Sequence, residues 1–229
     1  MKLEICTNSY QSAINAEMAG AHRIELCSEL SVGGITPSYG LLKQVLNNVH
    51  LPVFVLIRPR SGDFVYSEEE FNTMKLDIEI CKQLGASGIV SGVLDKDGSI
   101  DMERTAELLE LSRPLEFTFH RAFDELDEPH VGMEQLISLG VNRILTSGQQ
   151  SSAEEGLELL KVLVEQSNNR IDIMAGAGIY AQNVSKFKMI GIKEVHASAS
   201  SPTHQDSGLF YTPQTVSDPK KIKALLNAL

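Results

Sequence analysis

The chain has 229 residues, 42% of them apolar, and a formal net charge of −10. That balance argues against a nucleic-acid binder, which would carry a basic stripe, and no apolar run, Val53–Ile57 among them, is long enough to cross a bilayer. Three cysteines do not make a disulfide framework, and the start MKLEIC lacks a signal-peptide pattern, so the expectation is a cytoplasmic protein with reduced thiols.

Lys2–Thr7 (KLEICT) and Arg23–Ser28 (RIELCS) read as strands, each with a glutamate two residues before a cysteine. Alternation puts Glu4 with Cys6, and Glu25 with Cys27, on one face, and Leu3, Ile5, Ile24 and Leu26 on the other. The helix between them, Ser9–Ala19, has Ala13, Ala16 and Ala19 at helical spacing and ends on Gly20. One helical crossover makes the two strands parallel neighbours. After a loop with Gly33 and Gly34, Thr36 reads as an N-cap and Pro37 as the first helical position of a helix over 38–47. Val53–Arg58 is the third strand, with Arg60 just past it. Ser67 and Glu70 fit a capping box for Glu68–Leu84. That helix carries Phe71, Met74, Ile78, Cys81 and Leu84 on its apolar stripe, which makes Cys81 a core residue. Strands then follow at Ile89–Leu94, Leu115–Ala122, Arg143–Ser147, Ile171–Ala175 and Glu194–Ser198. They alternate with helices at Met102–Leu111, Pro129–Leu139, Ala153–Gln166 and near Ala181–Ile190. A polar stretch, Ser200–Ser217, leads to a closing helix capped by Asp218, with Pro219 in its first turn.

The octapeptide starting at Gly20 (GAHRIELC) recurs in outline at Gly85, Gly140 and Gly191, at strands two, four, six and eight. A repeat in every second βα unit suits a closed (βα)8 TIM barrel, whose interior layers each draw four side chains from alternate strands. The expectation is one barrel domain over residues 1–229, with a long polar loop near 200–217. Its inward layers would run Glu25, Val90, Leu145, His196 and, nearer the strand C-termini, Cys27, Gly92, Ser147, Ser198. Cys6, Arg58, His120 and Gly176 would come from the odd strands at the same end, with Leu56 and Met174 lower down. Small and polar residues at that end predict an open pocket at the C-terminal mouth.

Four sets of residues could carry chemistry there. Cys6 and Cys27 on neighbouring strands could share a soft ion such as Cu(I), with His196 assisting from a layer below; buried cysteine also packs as a plain hydrophobe. Arg58, Arg60 and Arg121 suggest a small anionic ligand, unless Asp63, Asp124, Glu4 and Glu25 neutralise them internally. Gly176, Gly178 and Ser198, in the loops after strands seven and eight, could form a phosphate cradle, although glycine serves any tight turn. His120 could be a general acid–base group, with Glu25 and Asp124 as further catalytic candidates; a structural histidine is the commoner role.

The stretches EIC at 4–6, RIELCS at 23–28, GGITPS at 33–38, IRPRSGDFVYS at 57–67, FHRAFD at 119–124, ILTSGQ at 144–149, IMAGAGI at 173–179 and EVHAS at 194–198 resemble the copper homeostasis protein CutC family. They span nearly the whole chain in order. The resemblance implies a cytoplasmic (βα)8 barrel, usually a homodimer or larger homo-oligomer, assigned to copper handling, with Cys6 and Cys27 in the places of the thiols proposed for Cu(I). A mouth with Arg58, Arg60, His120 and Arg121 is elaborate for a two-thiol carrier. A second expectation is therefore an enzyme acting by acid–base chemistry on a small anionic metabolite, phosphorylated ones included. A third is an oligomeric scaffold whose mouth only binds a regulator.

Overall fold

The computed structural model describes residues 1–203 and 214–229. Eight parallel strands close into a ring in chain order. They are β1 Lys2–Thr7, β2 Arg23–Leu26, β3 Val53–Leu56, β4 Gly88–Ser91, β5 Glu116–Phe119, β6 Arg143–Thr146, β7 Asp172–Ala175 and β8 Glu194–Ala197, with β8 paired back onto β1. Outside the ring lie α1 Tyr10–Ala19, α2 Tyr39–Asn48, α3 Glu68–Leu84, α4 Met102–Ser112, α5 Pro129–Leu139, α6 Leu157–Ser167, α7 Val184–Met189 and α8 Pro219–Ala228. The architecture is a (βα)8 TIM barrel. The two ends of the polar stretch near 200–217 form a short antiparallel pair, β9 Ser200–Pro202 with β10 Thr215–Ser217. Positions 204–213 of that stretch lie outside the described residues.

Alternation along each strand separates two cores. Leu3, Ile5, Ile24, Leu26, Ile89, Ile144 and Val195 face outward into one apolar layer under the helices. Cys6, Cys27, Phe54, Leu56 and Val90 form a separate small cluster inside the ring. Cys81 is buried in the outer layer. Ser9, Ser67 and Asp218 cap α1, α3 and α8, and both bonds of the Ser67–Glu70 capping box are made. Gly20, Gly85 and Gly140 close α1, α3 and α5 in the left-handed conformation that glycine adopts without a Cβ penalty.

Several boundaries differ from the sequence expectation. Helix α2 starts at Tyr39 with Ser38 as its N-cap. Thr36 is pinned to the end of β3 instead: its N–H donates to the Arg58 carbonyl and its hydroxyl accepts the Arg58 N–H, both at 2.9 Å. Strands β2 to β6 and β8 stop one to three residues early, because the chain leaves the ladder for the mouth; after β5 it forms a 3-10 turn, Arg121–Glu125. Helix α6 begins at Leu157, not Ala153, since the backbones of Gly148 and Gly156 meet with no space for a side chain at either.

The fourth residue of each repeat, Arg23, Gly88, Arg143 or Glu194, faces inward at the N-terminal end and builds a floor. Arg23 pairs with Glu4 and, at 2.7 Å, with Glu194; Arg143 reaches Glu194 at 2.5 Å and Glu116 at 3.0 Å. Both guanidiniums lie against the Phe54 ring, 4.6 and 5.4 Å from its centroid. Gly88 is a glycine because that ring fills the space a Cβ would take.

Candidate functional site

Short strands that end below the mouth leave a cavity of about 390 Å³ at their C-terminal end. Its polar wall includes Cys6, Glu25, Arg58, His120, Arg121, Asp124, His196 and Ser198, and its apolar lining includes Leu30, Leu56 and Leu145. A wider groove of about 910 Å³ between α3 and α4 is a surface feature with no buried titratable group in its walls.

One side of the mouth holds thiols and acids. Cys6 Sγ lies 3.7 Å from Cys27 Sγ and donates to Glu25 Oε1 at 3.5 Å. Ligand atoms of Cys6, Glu25 and His196 all fall within 4.8 Å of one another. Cys27 is fully buried behind Cys6 and does not line the cavity. The hydrogen bond with Cys27, then burial, then the charges of Cys27 and Glu25 push the Cys6 thiol well above its ordinary pKa. Burial followed by the Glu4 charge raises Glu25, which the His196 charge only partly offsets. His196 Nδ1 is 2.8 Å from Glu4 Oε1, a carboxylate–imidazole arrangement that leaves Nε2 as the atom free to ligate. Burial alone would lower the His196 pKa, but Glu25 and Glu4 outweigh it and hold it above the ordinary value. Glu4 in turn is desolvated, yet Arg23 and His196 bring its pKa down to about 2.

The other side holds N–H donors. Arg58 sends Nη1 to the carbonyls of Val32 and Gly34 at 2.9 and 3.0 Å, and Nη2 to that of Gly62 at 2.7 Å. Among the described residues it has no carboxylate partner, and its Nε is unpaired. The Tyr66 hydroxyl lies beside this guanidinium without a bond of good geometry to it. Phe64 packs on both Arg58 and His120, with 4.9 Å to the guanidinium and 4.8 Å between ring centroids. His120 Nδ1 accepts the Ala122 N–H at 3.2 Å. Burial and then the Arg58 charge pull its pKa down to about 3, so the ring is neutral and Nε2 carries the hydrogen. That buried Nε2 has no partner.

The remaining sequence candidates are placed differently. Arg60 turns away from the cavity to Glu70 at 2.6 Å and Asp63 at 2.9 Å; it sits too far out on its loop to reach inward. Arg121 and Asp124 do line the mouth but bind each other at 2.7 Å. Asp124 also accepts from Thr146 Oγ1 at 2.5 Å, Ser147 N at 3.1 Å and Gln149 N at 3.2 Å, and so braces the β6 loop. Ser147 is buried in that brace, outside the cavity wall. Gly176 lies under Leu145 and His196, Gly178 and Ser198 reach the cavity wall, and α7 begins only at Val184. The turn therefore does not run straight into a helix N-terminus. Sequence reasoning passed over Arg23, Arg143 and Glu194. Their shared position in the repeat was the available signal.

A model of the CutC family matches residues 1–201. The human copper homeostasis protein cutC homolog is 49% identical over 215 residues, covering 93% of this chain and 78% of its own. A CutC family protein of Proteus mirabilis is 52% identical over 198 residues, 86% of this chain and 79% of its own. A CutC crystal structure from Streptococcus agalactiae superposes with a TM-score of 0.81 at 36% identity, over 86% of this chain and 98% of that one. Matches of this extent, on a closed (βα)8 barrel, lead to one conclusion: the chain belongs to the CutC family.

Proposed function

We propose that the protein takes up Cu(I) as cargo at the barrel mouth, with Cys6 and Cys27 as its ligands, in a cytoplasm that keeps its thiols reduced. The observation that carries this reading is the pair of free Sγ atoms 3.7 Å apart. Two thiolates suit a soft monovalent ion. Glu25 and His196 stand close enough to add a harder donor, and Glu4 orients the imidazole. The copper-homeostasis names of the relatives favour the same cargo. Binding has to displace the proton that Cys6 holds tightly, so affinity for Cu(I) falls as pH falls.

The test is competition against a Cu(I) chelator with reduced protein. Wild type and Cys81→Ser should each retain a single Cu(I), and Cys6→Ser/Cys27→Ser should lose it. Equal retention by the double variant would sink the proposal.

A further inference from the structure

We propose that the donor side of the mouth is a binding site for the carboxylate of a small organic acid, which accepts a hydrogen bond from His120 Nε2–H and lies against the Arg58 guanidinium. It lies in the cavity that Cys6 also lines but draws on residues that follow β3 and β5, and it stands whether or not copper binds at the thiols.

Three observations meet on this wall. His120 is 5% exposed and lines the cavity, and its unpartnered Nε2 is a donor because Nδ1 is already an acceptor. Gly92 makes the placement possible: a Cβ there would strike the imidazole ring. Arg58 is 7% exposed, and its three hydrogen bonds go to neutral carbonyls, so its charge has no counter-ion among the described residues. A buried charge without a partner is costly unless a ligand supplies one. Arg121 is already neutralised by Asp124, and Glu25 and Glu125 line the same cavity, so Arg58 is the guanidinium there without an ion-pair partner among the described residues. One free guanidinium in a cavity that already holds several carboxyl groups favours a monoanion over a phosphate dianion. Leu30, Leu56 and Leu145 complete the lining and suit an apolar body behind the carboxylate. About 390 Å³ is within the usual range for a small-molecule site.

The probe is propionate, the short acid that matches this description, compared with phosphate and chloride at equal ionic strength. Thermal unfolding of the full chain should shift up by about 2–4 °C in excess propionate relative to chloride. The His120 imidazole NMR signal should move on the same titration. His120→Phe keeps an aromatic ring against Phe64 and removes the donor along with the acceptor of the Ala122 N–H, so it should fold with a lower melting temperature and lose the response. Cys6→Ser/Cys27→Ser should keep the response, which separates failure here from failure of the copper reading. The proposal is overturned if propionate acts as chloride does in both measurements. It is also overturned if phosphate matches propionate, or if His120→Phe responds like wild type.

Discussion

Gly88 and Gly40 show how the same residue type answers to opposite constraints. Gly88 faces inward at the floor, where the Phe54 ring occupies the space of a side chain. Gly88→Ala should therefore cost about 1–3 kcal/mol through overpacking. Gly40 is on the open side of α2 with nothing near its Cβ position, so Gly40→Ala should stabilise by about 0.4–1 kcal/mol by restricting the unfolded chain. Urea denaturation of the two variants should give shifts of opposite sign. At this scale the inward residues of the mouth were legible, because period-two alternation assigns faces without knowledge of the fold: Cys6, Cys27, Arg58, His120 and His196 all face the interior. What each side chain binds was not legible. Arg60 and Arg58 are two residues apart, yet one lines the cavity while the other joins Glu70, a choice made by the path of a loop.

At the scale of elements, the glycine-led repeat announced the even strands, and of the three helix starts marked by capping chemistry those of α3 and α8 lie where it put them. The exception is α2, where Thr36-Pro37 carries the signature of an N-terminus but Ser38 does the capping. A hydroxyl can serve a helix or a strand end, and tertiary structure took Thr36 for β3. Ser38→Ala should then speed hydrogen exchange at the Leu41 amide, which it now accepts from, by roughly fivefold, equivalent to about 1 kcal/mol of local stability. Thr36→Ala should leave that amide unchanged. If Thr36→Ala frays α2 instead, the assignment of the cap is wrong.

The molecule as a whole is held at its floor by buried ion pairs, and their protonation sets its behaviour in acid. Arg23 and His196 hold Glu4 at about 2 against the desolvation that opposes them, and Arg143 with Arg23 likewise keeps Glu194 below its ordinary value despite burial. Both groups have folded pKa values below their unfolded ones. Their stabilisation is complete above the ordinary carboxylate range near 4.5 and is lost as pH falls from there toward 2. For Glu4 the loss amounts to roughly 3 kcal/mol. Urea midpoints taken at about pH 5 and about pH 3 should fall steeply in wild type and less steeply in Glu4→Gln. Parallel slopes would remove Glu4 from the account. Alternation placed Glu4 inward, but Arg23, Arg143 and Glu194 lay hidden in the sequence because charged residues at strand starts usually signify solvent; only closure of the ring turns them inward.

The same floor has a kinetic meaning. Arg23, Arg143, Glu194 and Phe54 close the lower end, so among the described residues the barrel interior opens at its mouth, and Cys27 stands behind Cys6 there. On the proposed copper reading, an ion seated on the inner sulfur would leave by way of the outer one. Spontaneous escape would then be slow, and release would depend on a visiting ligand that engages Cys6 first. Transfer of copper out of this protein should accordingly speed up with acceptor concentration, whereas dilution alone should leave the ion in place.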